Sequence, residues 1–502
     1  MNWIDNFLNK ITMYRLLFYY LLFLLGIALI FSSLNILPFS FVSLIDSAAV
    51  IMVVCWITNK IFALTFKAPT NVESVYISAL ILTLIITPAK SLHDLPFLFW
   101  AGVLAMASKY ILALSKKHIF NPVAIALVIT YFGINGAASW WIGTSVMFPF
   151  ILLGLLIVRK IRKWDMVFYF LLVSLSTILG LTLINNGNII TTLNTLLLNS
   201  PLLFFAFVML TEPLTTPPTK LLQSFYGALV GFLFSPQVHL GSFFTTPEIA
   251  LVIGNVFSYL VSSKDKLMLT LGNKMQVGTD ILDFTFNLSR KLNFTPGQYM
   301  EWTLPHKGAD SRGNRRYFTI ASSPTENNLR LGVKFYPQGS SFKKAMAVMN
   351  NQTPIVGSQL AGDFVLPKDL NKKLVFIAGG IGITPFRSII KYLLDMNQRR
   401  PIVLMYSNKI ASEIMYADVW NSAQQNLDIK TVYTLTEQNP PDWKGKLGRI
   451  SPEMIEQEIP DWKERTFYLS GPHAMVNGFE QTLKGMGIGS KQIKIDFFPG
   501  FV

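Results

Sequence analysis

The 502-residue chain is 51% hydrophobic with a mean hydropathy of +0.42, which excludes a wholly soluble protein. Its single cysteine, Cys55, excludes an intrachain disulfide, an all-thiolate zinc site and a self-contained iron–sulfur cluster. The net charge of +15 does not argue for nucleic acid, because the cations sit largely in short loops between apolar segments, where they set membrane topology. At this length about three domains are expected.

The apolar residues are concentrated in the first half. Residues 1–13 place Trp3, Ile4, Phe7, Leu8 and Ile11 at helical spacing, which predicts a short interfacial helix. Apolar spans follow at 14–36, 42–59, 72–88, 95–115, 121–138, 142–158, 165–185, 197–212, 221–236 and 247–263, each about long enough to cross a lipid bilayer. The first span is long and lacks a small-residue cleavage site, so no cleavable signal peptide is expected. Counted from an inside N-terminus, the inner connections carry Lys60, Lys67, Lys116, Lys117, Arg159, Lys160, Arg162, Lys163 and Lys220, and Lys264 and Lys266 follow the last span. The outer connections at 37–41, 139–141, 186–196 and 237–246 have no Lys or Arg, and the remaining one has only Lys90, beside Asp94. This bias predicts a multi-pass protein of the cell membrane with both termini cytoplasmic.

A five-plus-five internal repeat is expected. Ile125-Ala-Leu-Val-Ile129 recurs as Ile249-Ala-Leu-Val-Ile253, each soon after a proline (Pro122, Pro247). An odd number of helices per half makes the repeats inverted, a design that places sites at the repeat interface on broken helices. The segment Thr211-Glu-Pro-Leu-Thr-Thr-Pro-Pro-Thr219 is such a break. Its prolines remove donors, and its hydroxyls and carboxylate suit a cation or a ring with polar edges, or else a plain hydrophilic turn. The segments FNPVAIALV (120–128) and FAFVMLTEPLTTP (205–217) resemble a family of membrane proteins found in the Rnf complex and in the sodium-pumping NADH:quinone reductase. That resemblance, over about 40–263, implies a ten-helix inverted-repeat membrane domain in a flavin-linked electron-transfer system. The family's Ser-Gly-Ala-Thr segment, whose threonine bears covalent FMN, has no counterpart here. Covalent FMN and sodium pumping are therefore not expected, which leaves non-covalent FMN or riboflavin as the candidate membrane flavin.

After residue 264 the pattern changes. Asp283-Phe-Thr-Phe-Asn-Leu288 and Leu329-Arg-Leu-Gly-Val-Lys-Phe335 alternate as half-buried strands, and residues 264–370 are expected to form an antiparallel β-barrel domain. Arg315-Arg-Tyr-Phe-Thr-Ile-Ala-Ser-Ser-Pro324 offers a guanidinium for a phosphate, aromatic rings for stacking and hydroxyls for a polar edge. Gly339, Ser340 and Ser341 open a helix, with Lys343 and Lys344 beside them. Residues 371–502 alternate strand and helix and predict an α/β nucleotide-binding domain. There the apolar strand Leu374–Ala378 ends in Gly379-Gly380-Ile381-Gly382, and a helix opens at Thr384-Pro385, a turn suited to a dinucleotide pyrophosphate.

Together with Phe294-Thr-Pro-Gly-Gln-Tyr299, this ordered set resembles the ferredoxin–NADP reductase superfamily over about 267–502. The resemblance implies FAD as resident cofactor and NAD(P)H as hydride donor. It places Arg316, Tyr317, Phe318, Thr319 and Ser322 on the flavin motif, with Phe318 where a tyrosine is usual, and Arg316 and Ser341 on the pyrophosphate. It places Gly379, Gly380, Gly382, Thr384 and Pro385 on the nicotinamide dinucleotide. Ser470-Gly471-Pro472 takes the place of a Cys-Gly-Pro element beside the nicotinamide. Phe498 or Phe501, near the C-terminus, is expected to shield the flavin, so Thr319, Ser470 and Phe501 are the residues expected at the reaction centre. Lys409 with Ser407 suits a 2′-phosphate or is a solvated charge.

The expected chemistry is hydride transfer from NAD(P)H to FAD, then electrons onward to a flavin, a quinone or a separate redox partner protein at the membrane domain. A haem relay is disfavoured, because His93, His118, His239, His306 and His473 do not pair across spans. The rival readings are a transporter or channel with an attached flavin reductase, and a reductase that is merely anchored.

Overall fold

The computed structural model describes residues 4, 7–8, 11–66, 72–114, 117–241, 243–262, 266–278, 280–310, 313–337 and 339–496. Its contacts form two compact units, one within residues 1–262 and one within 263–310 and 314–498.

The first unit is helical: α1 (Met13–Ser33), α2 (Phe41–Thr65), α3 (Val72–Ile85), α4 (Leu95–Ile111), α5 (Pro122–Ile134), α6 (Phe148–Ile151), α7 (Leu155–Ile161), α8 (Trp164–Ile184), α9 (Ile189–Leu198), α10 (Leu202–Phe204), α11 (Lys220–Leu233) and α12 (Pro247–Val261). Thr12, Ser40, Asn121, Asn188 and Thr246 accept hydrogen bonds from backbone N–H groups at helix starts, satisfying donors that the helix leaves unpaired. Among the described residues α1, α2 and α8 are long and apolar enough to cross a membrane. A fourth candidate is α9 with the stretch Leu202–Met209, bent by 52° between them.

The other expected spans fall on shorter helices. α3 has 14 residues, roughly 21 Å at helical rise, short of a hydrocarbon core of about 30 Å. The stretch 186–196, expected as an outer loop, is largely the helix α9. The span expected from residue 142 does not become helical until Phe148. The reason is a contact with the end of α3. Trp140 N and Ile142 N donate to Ile85 O and Leu84 O (2.8 and 3.3 Å), and the Trp141 indole donates to Thr83 O and Ile86 O. Irregular backbone there satisfies the carbonyls that end α3, the condition for non-helical chain at membrane depth.

The two IALVI segments lie on α5 and α12, which pack together and each begin at a proline. Asn255 of α12 accepts from Asn121 N–H at 2.7 Å, tying it to the start of α5. The 1–13 segment lies mostly outside the described residues.

The second unit holds two sheets. The first contains β1 (Lys266–Gly278), β2 (Ile281–Leu288), β3 (Tyr299–Thr303), β4 (Arg315–Thr319), β5 (Asn328–Lys334) and β6 (Ile355–Ala361), antiparallel in the order β4-β3-β6-β1-β2-β5. Leu269, Phe284, Phe286, Trp302 and Leu331 fill its interior, closed by Phe342 of α13 (Ser341–Ala347). The second sheet is parallel, with strands β7 (Leu374–Gly379), β8 (Ile402–Asn408), β9 (Lys430–Leu435), β10 (Lys446–Leu447), β11 (Thr466–Ser470) and β12 (Ile493–Ile495). Its helices are α14 (Thr384–Asp395), α15 (Ala417–Leu427), α16 (Pro452–Glu458) and α17 (His473–Gly485). The order is β10-β9-β8-β7-β11-β12. Every residue of β7 is buried, as a central parallel strand with both faces covered requires. The strand order reverses between β7 and β11, and such a reversal opens a ligand crevice at the carboxyl ends of the strands.

Candidate active site

At that crevice the two sequence motifs meet. β7 and β11 pair in register through Ala378 and Ser470, so the Gly379–Gly382 turn lies against Ser470-Gly471-Pro472. The contact is backbone on backbone: a Cβ at Gly382 would stand 2.4 Å from both Ser470 O and Gly471 N. Gly380 has φ +50, and a Cβ there would meet nothing within 4 Å. This turn is open to an incoming group, which is the room a dinucleotide phosphate needs. Thr384 Oγ1 donates to Ile381 O at 3.3 Å and Pro385 stands in the first turn of α14, so both serve the turn's shape.

On the side of the antiparallel sheet, Thr319 at the end of β4 and Ser470 at the end of β11 converge on one carboxylate. Thr319 Oγ1 donates to Asp496 Oδ2 at 3.4 Å, and Ser470 Oγ to the same oxygen at 3.1 Å. Asp496 follows β12, and its backbone N–H donates to Leu469 O. Desolvation raises its carboxyl to about 7, against the opposing pull of the Ser470 and Thr319 hydrogen bonds. Sequence reasoning missed Asp496; its one signal there is a lone acid directly after an apolar strand. Phe498 and Phe501 lie outside the described residues.

Arg316 and Ser341 also meet on one anion, the side chain of Asp310. The Arg316 guanidinium reaches Asp310 Oδ1 at 3.1 Å, and Ser341 N–H donates to Oδ2 at 3.0 Å. The Ser341 hydroxyl accepts from Asp310 N–H (2.9 Å) and is 3.0 Å from His306 Nε2. Arg316 is buried and stacks over Phe342 at 5.3 Å. Two donors already held on one carboxylate have the chemistry that a pyrophosphate requires. Ser340 caps α13 by accepting from Lys343 N–H, and Gly339 N–H closes the turn onto Tyr336 O. Tyr317 donates to Gln359 Oε1 at 3.1 Å and meets Tyr299 edge-on. Phe318 is half-buried beside Phe342, with ring centroids 6.0 Å apart. Ser322 is buried and its hydroxyl accepts from Arg330 N–H at 2.8 Å, so it holds the turn after β4. Lys409 is paired with Glu437 at 2.8 Å, at the tips of β8 and β9.

The oxidoreductase FAD-binding domain family matches residues 268–356 and the oxidoreductase NAD-binding domain family matches residues 376–481. The C-terminal half therefore carries an oxidoreductase FAD-binding domain followed by an oxidoreductase NAD-binding domain. Relatives of this reductase half include a flavohemoprotein of Bacillus cereus, 27% identical over 41% of this chain and 53% of that one. An NADH-cytochrome b5 reductase 1 of Ajellomyces capsulatus is 28% identical over 43% of this chain and 73% of that one. The chain thus spans about half the length of the flavohemoprotein it matches. Among solved structures, an Amycolatopsis cytochrome P450 reductase aligns with a TM-score of 0.42 at 22% identity, over 47% of this chain and 70% of that one.

Proposed function

We propose that the chain is a membrane-bound NAD(P)H-dependent flavoprotein oxidoreductase. The observation that carries this is the meeting, at one strand-order reversal, of the dinucleotide turn, Ser470 and the flavin-side Thr319. FAD, when bound, supplies a ring that accepts hydride and releases electrons singly. Arg316 and Ser341 would hold its pyrophosphate once Asp310 gives way. Phe318 would cover the ring, with Tyr317 supporting β4 from the opposite face, and Thr319 and Ser470 would line its reacting edge. Gly380 and Gly382 would admit the nicotinamide donor. Asp496, the acid shared by Thr319 and Ser470, would hold or release a proton near neutral pH.

The three long apolar helices and the bent pair support insertion of the first unit into a bilayer. The full proposal is a ten-span, inverted-repeat domain with both termini cytoplasmic, receiving electrons at the Thr211–Thr219 segment. That segment is not a solvated turn: Thr211, Thr215 and Thr216 are buried, and Lys163 donates to Thr216 Oγ1. A non-covalent flavin, a quinone or a separate redox partner protein would take the electrons there. The experiment is extraction and counting of flavin from purified full-length protein, followed by anaerobic addition of NADH or NADPH. One FAD per chain that bleaches with either donor is expected, and additional FMN or riboflavin would mark a membrane relay. Protein without flavin, or flavin that no nicotinamide donor bleaches, would end the proposal.

A further inference from the structure

The helix that opens at the dinucleotide turn is also bolted to the turn beside the flavin site. From α14, Arg387 Nη1 donates to Ala321 O at 2.9 Å, and its guanidinium grips both oxygens of Glu326 at 2.5 and 2.8 Å. Ser388 Oγ donates to Ser322 O at 2.6 Å, and Asp395 accepts from Thr325 Oγ1 at 2.5 Å. Arg387, Ser388 and Asp395 are three, four and eleven residues beyond Thr384, which is one helix face. That face is therefore registered on residues 321–326, the continuation of the strand that carries Thr319.

A second contact backs the first. Tyr416, at the start of α15 with φ +57, donates to Asp283 Oδ1 of β2 at 2.9 Å. Arg330 pairs with the other oxygen of Asp283 at 3.4 Å. The guanidiniums of Arg387 and Arg330 stand 5.3 and 5.9 Å from the centre of the Tyr416 ring. A non-glycine residue in the left-handed region is held there by its surroundings. At Gly332 of β5 the barrel comes so close that a Cβ would lie 2.9 Å from Thr384 Cγ2 and 3.2 Å from Tyr416 OH.

We propose that Arg387 and Tyr416 are positioning residues for hydride transfer, clamping the nicotinamide-side turn at a set distance from the flavin-side turn through Glu326 and Asp283. Neither residue touches the reacting atoms. They act through the backbone of 321–322 and the start of α14. This rests on the oxidoreductase reading above. Transfer between two rings depends steeply on their separation, so a slack clamp lowers the rate without emptying either site.

The test uses full-length protein in detergent with its FAD bound. Arg387→Lys, which cannot grip Glu326 through two parallel N–H bonds, and Tyr416→Phe are compared with the unaltered chain in anaerobic stopped-flow reduction by NADH and NADPH. The limiting bleaching rate is expected to fall about 10- to 100-fold, with FAD content and half-saturating donor concentration unchanged. The flavin absorption change caused by adding NAD+ or NADP+ should weaken in the same variants, although the dinucleotide still binds. Asp283→Ala removes the acceptor of the Tyr416 hydroxyl together with the Arg330 pair, so adding Tyr416→Phe to it should cost nothing further. A limiting rate within about twofold of the unaltered chain, or losses that merely follow lost FAD or lost donor affinity, would overturn the clamp. Bleaching of the unaltered chain separately tests the oxidoreductase reading.

Discussion

At the scale of single residues, Asp496 dominates. A carboxyl raised to about 7 in the folded protein starts from an ordinary value near 4 in the unfolded chain. Between those limits the folded state holds a proton that the unfolded state has released. The stability that proton confers is complete below about pH 4 and is lost as pH rises through about 7. Asp496→Asn removes the titration. The variant should therefore melt above the unaltered chain at pH 8 and lack the decline in stability between pH 5 and 8, read by thermal unfolding across that range. The same substitution should flatten any inflection near pH 7 in the flavin-bleaching rate. Unchanged pH profiles in both measurements would show that Asp496 is an ordinary ionised surface acid.

Elements explain why the dinucleotide turn tolerates so little. β7 and β11 bring two backbones into contact at Gly382, so the added methyl of Gly382→Ala has no flexible side chain to displace. Overpacking of that kind costs about 1–3 kcal/mol, and it would push Ser470-Gly471 out of line. Gly380→Ala meets no atom but must hold a φ of +50, which costs about 1–2 kcal/mol. The two substitutions should differ in kind. Gly382→Ala should lower the melting temperature and slow bleaching by displacing Ser470-Gly471, whereas Gly380→Ala, whose methyl stands in the open space at the turn, should chiefly raise the half-saturating NAD(P)H concentration. Steady-state kinetics and thermal melts on the pair separate these effects, and equal kinetic damage would contradict the close approach at Gly382.

At the scale of the whole molecule, the proposed insertion of the first unit into a bilayer makes a topology prediction. Loop cations predict that Gln237 faces outward and Lys372 inward. The native Cys55 is buried, so single-cysteine substitutions at exposed positions can be labelled over a low background. In intact cells an impermeant maleimide should label Gln237→Cys and spare Lys372→Cys, and permeabilisation should expose the second. Labelling of Lys372→Cys in intact cells would reverse the topology.

The helices lie near the apolar runs because hydrophobic stretches of that length have few other ways to satisfy their backbone. Their ends do not follow hydropathy: α3 stops at Ile85 shortly before Pro88, which has no N–H for Leu84 O, and residues 139–142, more than fifty positions away, supply partners for the freed carbonyls. The reductase half was legible for a related reason. Glycines at 379–382, the Arg316–Thr319 strand and Ser470-Gly471-Pro472 each carry local geometry that few other residue types supply, so their order along the chain announced the domain pair. Asp496, Asp310, Arg387 and Tyr416 carry no local signature. An aspartate after a strand or an arginine in a helix is ordinary until the fold brings its partner to it. Sequence alone therefore determined which segments are apolar, which turns are built on glycine and in what order they come, since these depend on residues adjacent in the chain. Only the tertiary structure decided which acid joins Thr319 to Ser470 and which side chains clamp one turn to the other, because charges and hydrogen bonds act over a few ångströms of space however many residues lie between.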